Sequence, residues 1–188
     1  MLILLLLIII FIFKRLHIFD GLFASKPLLI DNTPLVIREI RSIAELNTAT
    51  LYQEIVVDSI APSAIPLQAK REIVLIVKGR VLAGIDLQQL QDKDVYVKED
   101  SVHIILPQAT IRDVIINPSA IETFYEFGRW SNEEITALKL SAREKLLASA
   151  VEKNLLDRAD TKAKAVITQF LKVAKFEKIR VDIQHSLP

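Results

Sequence analysis

Cysteine is absent from this 188-residue chain. Its absence excludes disulfides, thiol nucleophiles and every zinc site built on thiolates, and leaves the redox compartment undecided. Glycine is scarce, at four residues, so no glycine-rich loop is available to cradle a phosphate. Neither sign of charge is in excess: 24 Lys and Arg against 23 Asp and Glu leave a net +1, which offers no general attraction to nucleic acid. The three histidines, His17, His103 and His185, stand far apart without metal-ligand spacing. No serine elbow, no His-Glu-x-x-His and no paired-carboxylate spacing occurs. The sequence thus points to no cofactor, no metal and no catalytic residue, and the expectation is a protein that is not an enzyme. Carboxylates distant in sequence can still meet in a folded chain without leaving a signature.

What the chain has in abundance is apolar residues at its start. Met1 to Phe13 contains no polar residue, and Lys14-Arg15 follow. As a helix this run rises about 20 Å, short of the roughly 30 Å hydrocarbon core, but snorkelling Lys and Arg stems extend the usable length toward Phe19. A secretory signal would carry its basic residues before the apolar run and a small-residue cleavage site after it; neither is present. A buried soluble helix would show a polar face. The expectation is a single-pass membrane anchor over residues 1–19, a juxtamembrane linker over 20–33 and one folded domain over 34–188. Lys14 and Arg15 on the C-terminal flank favour a cytoplasmic domain, on two residues only.

The domain is organised around Arg71 to Leu87, the longest β-branched run outside the N-terminus. It reads as a strand over Glu72–Ala83 buried on two sides in its first half, with Gly79 marking a bulge or a close backbone approach. Asp86 is placed to cap a single turn. Before it, Thr33-Pro34 reads as a helix start, Leu35–Leu46 as a short helix and Thr48–Ile60 as a strand. Pro62 and Pro66 mark a loop over Ala61–Lys70. After it, Asp94–Lys98 and Ser101–Leu106 alternate around Glu99-Asp100 and predict a hairpin. Thr110–Asn117 predicts a strand ended by Asn117-Pro118, and Ser119–Trp130 an irregular aromatic segment. Ser131-Asn132-Glu133-Glu134 is a capping box opening a helix to Lys153, with Ile135, Leu138, Ala142, Leu146 and Ala150 as its buried stripe. A second helix starts at Asp157 with Ala159, Ala163, Val166, Phe170 and Ala174 on one face, and Lys178–Ile183 closes the domain as a strand. The fold class is α+β, a mostly antiparallel sheet with two long C-terminal helices packed on one face, preceded by a transmembrane helix.

Val77-Lys78-Gly79-Arg80-Val81-Leu82-Ala83-Gly84-Ile85-Asp86-Leu87 resembles the signature of the bacterial domain of unknown function numbered 4230. The likeness continues through Ile40–Leu46, Leu106-Pro107, Ile116-Asn117-Pro118 and the helix start at Trp130–Glu134, and covers about residues 35–184. The resemblance implies one N-terminal membrane segment and a single domain, and it brings no catalytic residues. It also implies a domain outside the cytoplasm, opposite to what Lys14 and Arg15 suggest, so the side of the membrane stays open.

Three groups of residues are candidates for function. Glu122, Tyr125, Arg129 and Trp130 offer a partner or ligand contact; the plainer reading is that Phe124, Phe127 and Trp130 lid the sheet beside the helix. Lys172, Lys175 and Lys178 belong to a basic stretch from Lys162 to Arg180 and, with Lys14 and Arg15, offer a membrane-surface contact; the plainer reading is a solvated helix end whose lysines complement the helix dipole. Lys78, Arg80 and Asp86 offer an anion grip or, more simply, exposed strand and turn ends. The first function these features suggest is a membrane-tethered, non-catalytic module that binds a protein partner or the membrane surface. The alternative is a small-ligand-binding protein or an enzyme with its site near residues 122–130. Self-association through the C-terminal helices is a third possibility.

Overall fold

The computed structural model describes residues 33–62 and 70–184. Asp31–Pro188 forms one compact unit. The anchor expected over 1–19, Lys14 and Arg15 with it, lies outside the described residues, as do most of the linker and His185. Among the described residues no helix is long and apolar enough to cross a membrane.

The element order is α1 (Thr33–Ser42), β1 (Glu45–Ala61), β2 (Arg71–Asp86), β3 (Val95–Lys98), β4 (Ser101–Leu106), β5 (Thr110–Phe127), α2 (Asn132–Glu152), α3 (Leu155–Val173) and β6 (Lys178–Ile183), with two 3-10 turns between β2 and β3. The fold is α+β. Its strands form two three-stranded sheets, β1-β2-β5 and β3-β4-β6. The first is antiparallel throughout. In the second, β3 and β4 are the expected hairpin, turned at Glu99 with φ 55°, whereas β6 pairs with β4 in parallel. That pairing corrects the expectation of a single sheet: β6 returns after two helices, a connection long enough to bring it back alongside β4 in the same direction.

β2 is the central strand of the first sheet. Ile73, Leu75, Val77, Val81, Ala83 and Ile85 are buried on one face, against which α2 and α3 pack. On the other face Val74, Ile76 and Leu82 are half-buried and Lys78 and Arg80 exposed. The expected burial on two sides is therefore wrong: flanking strands shade the outer side chains without covering them. β5 is longer than expected. The Ser119–Trp130 segment read as irregular is strand through Phe127. Pro118 does not end it, because β5 is an edge strand and four residues, 117–120, loop out opposite Lys78. Proline costs little at such a bulge, where its missing N–H is not needed by the ladder. Asn117 Oδ1 closes the loop by accepting from the Ser119 amide at 3.1 Å and hydroxyl at 2.8 Å.

α1 is shifted against its expected span, beginning at Thr33 and ending at Ser42. Ala44 takes φ 57° to close it, and its carbonyl accepts from the Leu87 amide at 2.8 Å, so Glu45 and Leu46 are already strand. The Asp86 cap forms as expected, its Oδ1 accepting from the Gln88 amide at 3.0 Å. α2 starts on the predicted box, Ser131 and Glu134 capping each other's backbone, and Leu138, Ala142, Leu146 and Ala150 are its buried line. Asn154, at φ 51°, separates it from α3. The buried line of α3 is Leu155, Ala159, Ala163, Ile167 and Leu171: Ala159 and Ala163 lie on it as expected, but it continues through Ile167 and Leu171 and not through Val166, Phe170 and Ala174. Steps of four residues advance about 40° each around a helix of 3.6 residues per turn. The buried line thus spirals, which suits a helix that packs on β1 and β2 and also on β6.

Candidate functional site

The aromatic segment is held at one end by a single arginine. Arg71, the first residue of β2, donates from Nη1 to the Arg129 carbonyl at 2.8 Å and from Nη2 to Glu134 Oε1 at 2.9 Å. Its Nε donates to the Pro62 carbonyl at 3.2 Å. The guanidinium lies over the Trp130 ring, 4.9 Å from its centroid, a cation–π contact that also shields the ring from water. Trp130 packs with Ile135 on a cluster of Val57, Ile73, Leu75, Val77, Leu138 and Ala142. Gly128, at φ 88°, allows the turn from β5 into this knot, and a Cβ there would meet the Arg71 side chain.

Glu134 serves two partners at once. The Arg71 hydrogen bonds, then the Ser131 amide, hold its carboxyl below the ordinary glutamate value. A folded-state value lowered in this way contributes stability that is fully present above the unfolded value, about 4.5, and is lost as pH falls through the folded value. Arg71→Gln should therefore flatten the decline of the urea midpoint between about pH 5 and 3. Parallel declines in the two proteins would show that the pair carries no acid sensitivity.

The four sequence candidates do not converge. Trp130 is the lid that the plainer reading expects. Arg129 is exposed and contributes its carbonyl to Arg71. Glu122 pairs with Lys78 at 2.9 Å, which raises the lysine's pKa. Phe124, Tyr125 and Phe127 are not part of the lid, with 74%, 47% and 48% of their surface exposed. Phe124 is the extra residue of a second irregularity, between the Leu75–Thr123 and Val74–Tyr125 pairs.

Tyr125 and Phe127 lie on the uncovered face of the first sheet. The register sets three rows across it: Ile60–Glu72–Phe127, Asp58–Val74–Tyr125 and Val56–Ile76–Glu122. Ile60 and Val56 are exposed too. The result is an apolar field interrupted by one carboxylate in each row. Further along, Lys78 stands between Glu122 and Glu54, and Arg80 beside Tyr52. Lys78 and Arg80 are thus exposed on this face as the plainer reading has them, while Asp86 serves its turn at the strand's end.

The basic candidates separate. Lys172 and Lys175 are exposed at the end of α3, whereas Lys178, the first residue of β6, pairs with Asp100 at 3.3 Å. Glu99, Asp100 and Glu177 lie in the same turn region, where the Asp100 carbonyl accepts from the Glu177 and Lys178 amides, so the charge there is mixed.

One arrangement has no precursor in the sequence reading. His103, in the second arm of the hairpin, brings Nε2 within 3.0 Å of Asp182 Oδ2, and Arg180 Nε donates to the same oxygen at 2.7 Å. These two contacts, Arg180 first, hold the Asp182 carboxyl below the ordinary aspartate value. The Tyr96 and His103 rings stack, centroids 6.0 Å apart. Period-two alternation would have placed each residue on its strand's outer face; the β4–β6 pairing that joins them is not local. Among the described residues, no group of three or more His, Asp or Glu side chains is placed to hold a metal ion.

These features define a class before they define a reaction: an α+β domain of two small sheets and two long helices, with charges paired at the surface and large apolar side chains on an uncovered sheet face. Within that class the chain belongs to the family described as Protein of unknown function (DUF4230), whose sequence model matches residues 38–181. No curated protein and no solved structure matches it.

Proposed function

We propose that the chain is a membrane-tethered, non-catalytic module that engages a protein partner through the outer face of its first sheet. The observation that carries this reading is the apolar field of Val56, Ile60, Val74, Ile76, Tyr125 and Phe127, with Phe124 projecting beside it. Contiguous apolar surface of this kind is costly to leave in water and marks contact surfaces. Asp58, Glu72 and Glu122 interrupt the field, so the partner it fits is an apolar segment carrying basic residues. The filled junction at Trp130 argues against the alternative, a small-ligand or enzyme site near residues 122–130. The tether is residues 1–19, on their hydropathy and on the family's implied membrane segment. Lys172 and Lys175 remain as a membrane-surface contact of secondary weight.

The test uses the full chain in its native membrane. Deleting residues 1–19 should release the domain into the soluble fraction; continued membrane association removes the tether. A photo-crosslinker at Phe124 should give one discrete adduct that Tyr125→Ser and Phe127→Ser together abolish, while the same probe at Lys139 on α2 gives none. An adduct of twice the chain mass would identify the partner as a second copy. Equal labelling from both positions would remove the docking face.

A further inference from the structure

The second sheet has a polar outer face that this docking reading does not use. The β3–β4 and β4–β6 registers stack two rows of residues on it. One row is Tyr96–His103–Arg180 and the next is Lys98–Ser101–Lys178. These six residues line an open groove of about 790 Å³, room for a small ligand to lie against the sheet. We propose that this groove binds a small planar aromatic anion, a ring joined to a phosphate as in a nucleoside monophosphate.

The ring half rests on the aromatic row. Tyr96 is 58% exposed and is braced from behind its edge by His103, their planes 24° apart. His103 is in turn fixed by Asp182. A preordered ring with an open surface offers stacking to a nucleobase at little entropic cost. The anion half rests on the neighbouring row and on Arg180. Same-face rows on a sheet stand about 7 Å apart and strands about 4.8 Å apart, the scale of the distance from a nucleobase to its phosphate.

Charge around the groove is mixed: Lys98, Lys178 and Arg180 stand against Asp100 and Asp182, with Glu99 and Glu177 in the adjoining turn, so the anion half rests on open donors and not on net charge. Arg180 is 74% exposed and meets Asp182 through Nε, so its two terminal nitrogens face outward without a protein partner among the described residues. Their fork suits a phosphate's paired oxygens. Among the described residues Lys178 contacts only Asp100, at 3.3 Å, and keeps further donors. The Ser101 hydroxyl, donating to Asp100 at 3.2 Å, lies between the two lysines on the strand.

Adenosine monophosphate is the probe, titrated calorimetrically into the full-length chain in detergent. Saturable binding with a Kd below about 1 mM is expected. Adenosine, which lacks the phosphate, and inorganic phosphate, which lacks the ring, should each bind at least about tenfold more weakly, a difference of about 1.4 kcal/mol. Tyr96→Ala and Arg180→Ala, both at exposed positions, should each cost a similar factor, and Lys139→Ala should cost none. Absence of saturable binding overturns the proposal. So does phosphate binding as tightly as the nucleotide, or nucleotide binding that survives both Tyr96→Ala and Arg180→Ala. The docking face stands or falls separately, because no residue of this groove enters the crosslinking test.

Discussion

Gly84→Ala should destabilise the domain by about 3 kcal/mol, lowering its thermal midpoint by roughly 6–12 °C. The cause is backbone meeting backbone. Gly84 pairs with Asn47 where β1 carries an extra residue, Thr48, between the Asn47–Gly84 and Ala49–Ala83 pairs. A Cβ on Gly84 would stand 2.8 Å from Asn47 Cα and 2.9 Å from the Leu46 carbonyl carbon, and closer still to the carbonyl oxygen. A flexible side chain could swing away, but a main chain inside a sheet cannot without breaking its ladder. The bulge is fixed from the other side as well, since Thr48 Oγ1 donates to the Ala159 carbonyl of α3 at 2.8 Å. Moving β1 outward to admit the methyl would therefore strain the sheet–helix contact too. Thermal unfolding of the two proteins decides the matter: a midpoint within about 1 °C of the native chain would mean that the close approach does not constrain the fold.

The same bulge shows what the sequence made legible and what it did not. Features set by neighbours in the chain were readable. The Ser131–Glu134 box, the Asp86 turn and the Glu99-Asp100 hairpin each depend on residues within about four positions, and each forms. Gly84 gave no sign of its role, because the backbone it accommodates lies nearly forty residues earlier. Pro118 read locally as a terminator; only the knowledge that β5 is an edge strand with a looped-out segment reconciles it with an unbroken strand. In α3 the larger residues Val166 and Phe170 suggested the wrong face for its second half, because the stripe is decided by which neighbours the helix must satisfy. The candidate surfaces followed the same division. Tyr125 was identifiable as an aromatic at an element junction, but its partners Val74 and Asp58 arrive by register. The Tyr96–His103–Arg180 row needs a parallel pairing between segments separated by two helices, and no local pattern encodes that.

Gly79 and Leu146 should prove coupled, each substitution harmful alone and the pair less harmful than their sum. Gly79 faces α2, and a Cβ there would lie 2.5 Å from Leu146 Cδ1, 3.2 Å from the Ile115 carbonyl oxygen and 3.4 Å from Ile116 Cγ1. The nearest obstacle is the end of a side chain, so Gly79→Ala displaces Leu146 and should cost about 1–2 kcal/mol. Leu146 is fully buried, and Leu146→Ala should cost about 3 kcal/mol through lost burial and the cavity left behind. In the double variant the Gly79 methyl enters the space that Leu146 vacated, so its clash vanishes and part of the cavity is filled. The second substitution should then be neutral or stabilising in that background, giving a coupling of about 1–2 kcal/mol. Urea denaturation of the four proteins supplies the cycle. Strict additivity would separate the two residues and return Gly79 to the strand-bulge reading, in which the glycine serves only the looped-out segment opposite Lys78. A coupling of the expected size would instead make Gly79 the point where the central strand admits its helix, and would account for a glycine in the middle of a strand by packing alone, without any ligand at Lys78 and Arg80.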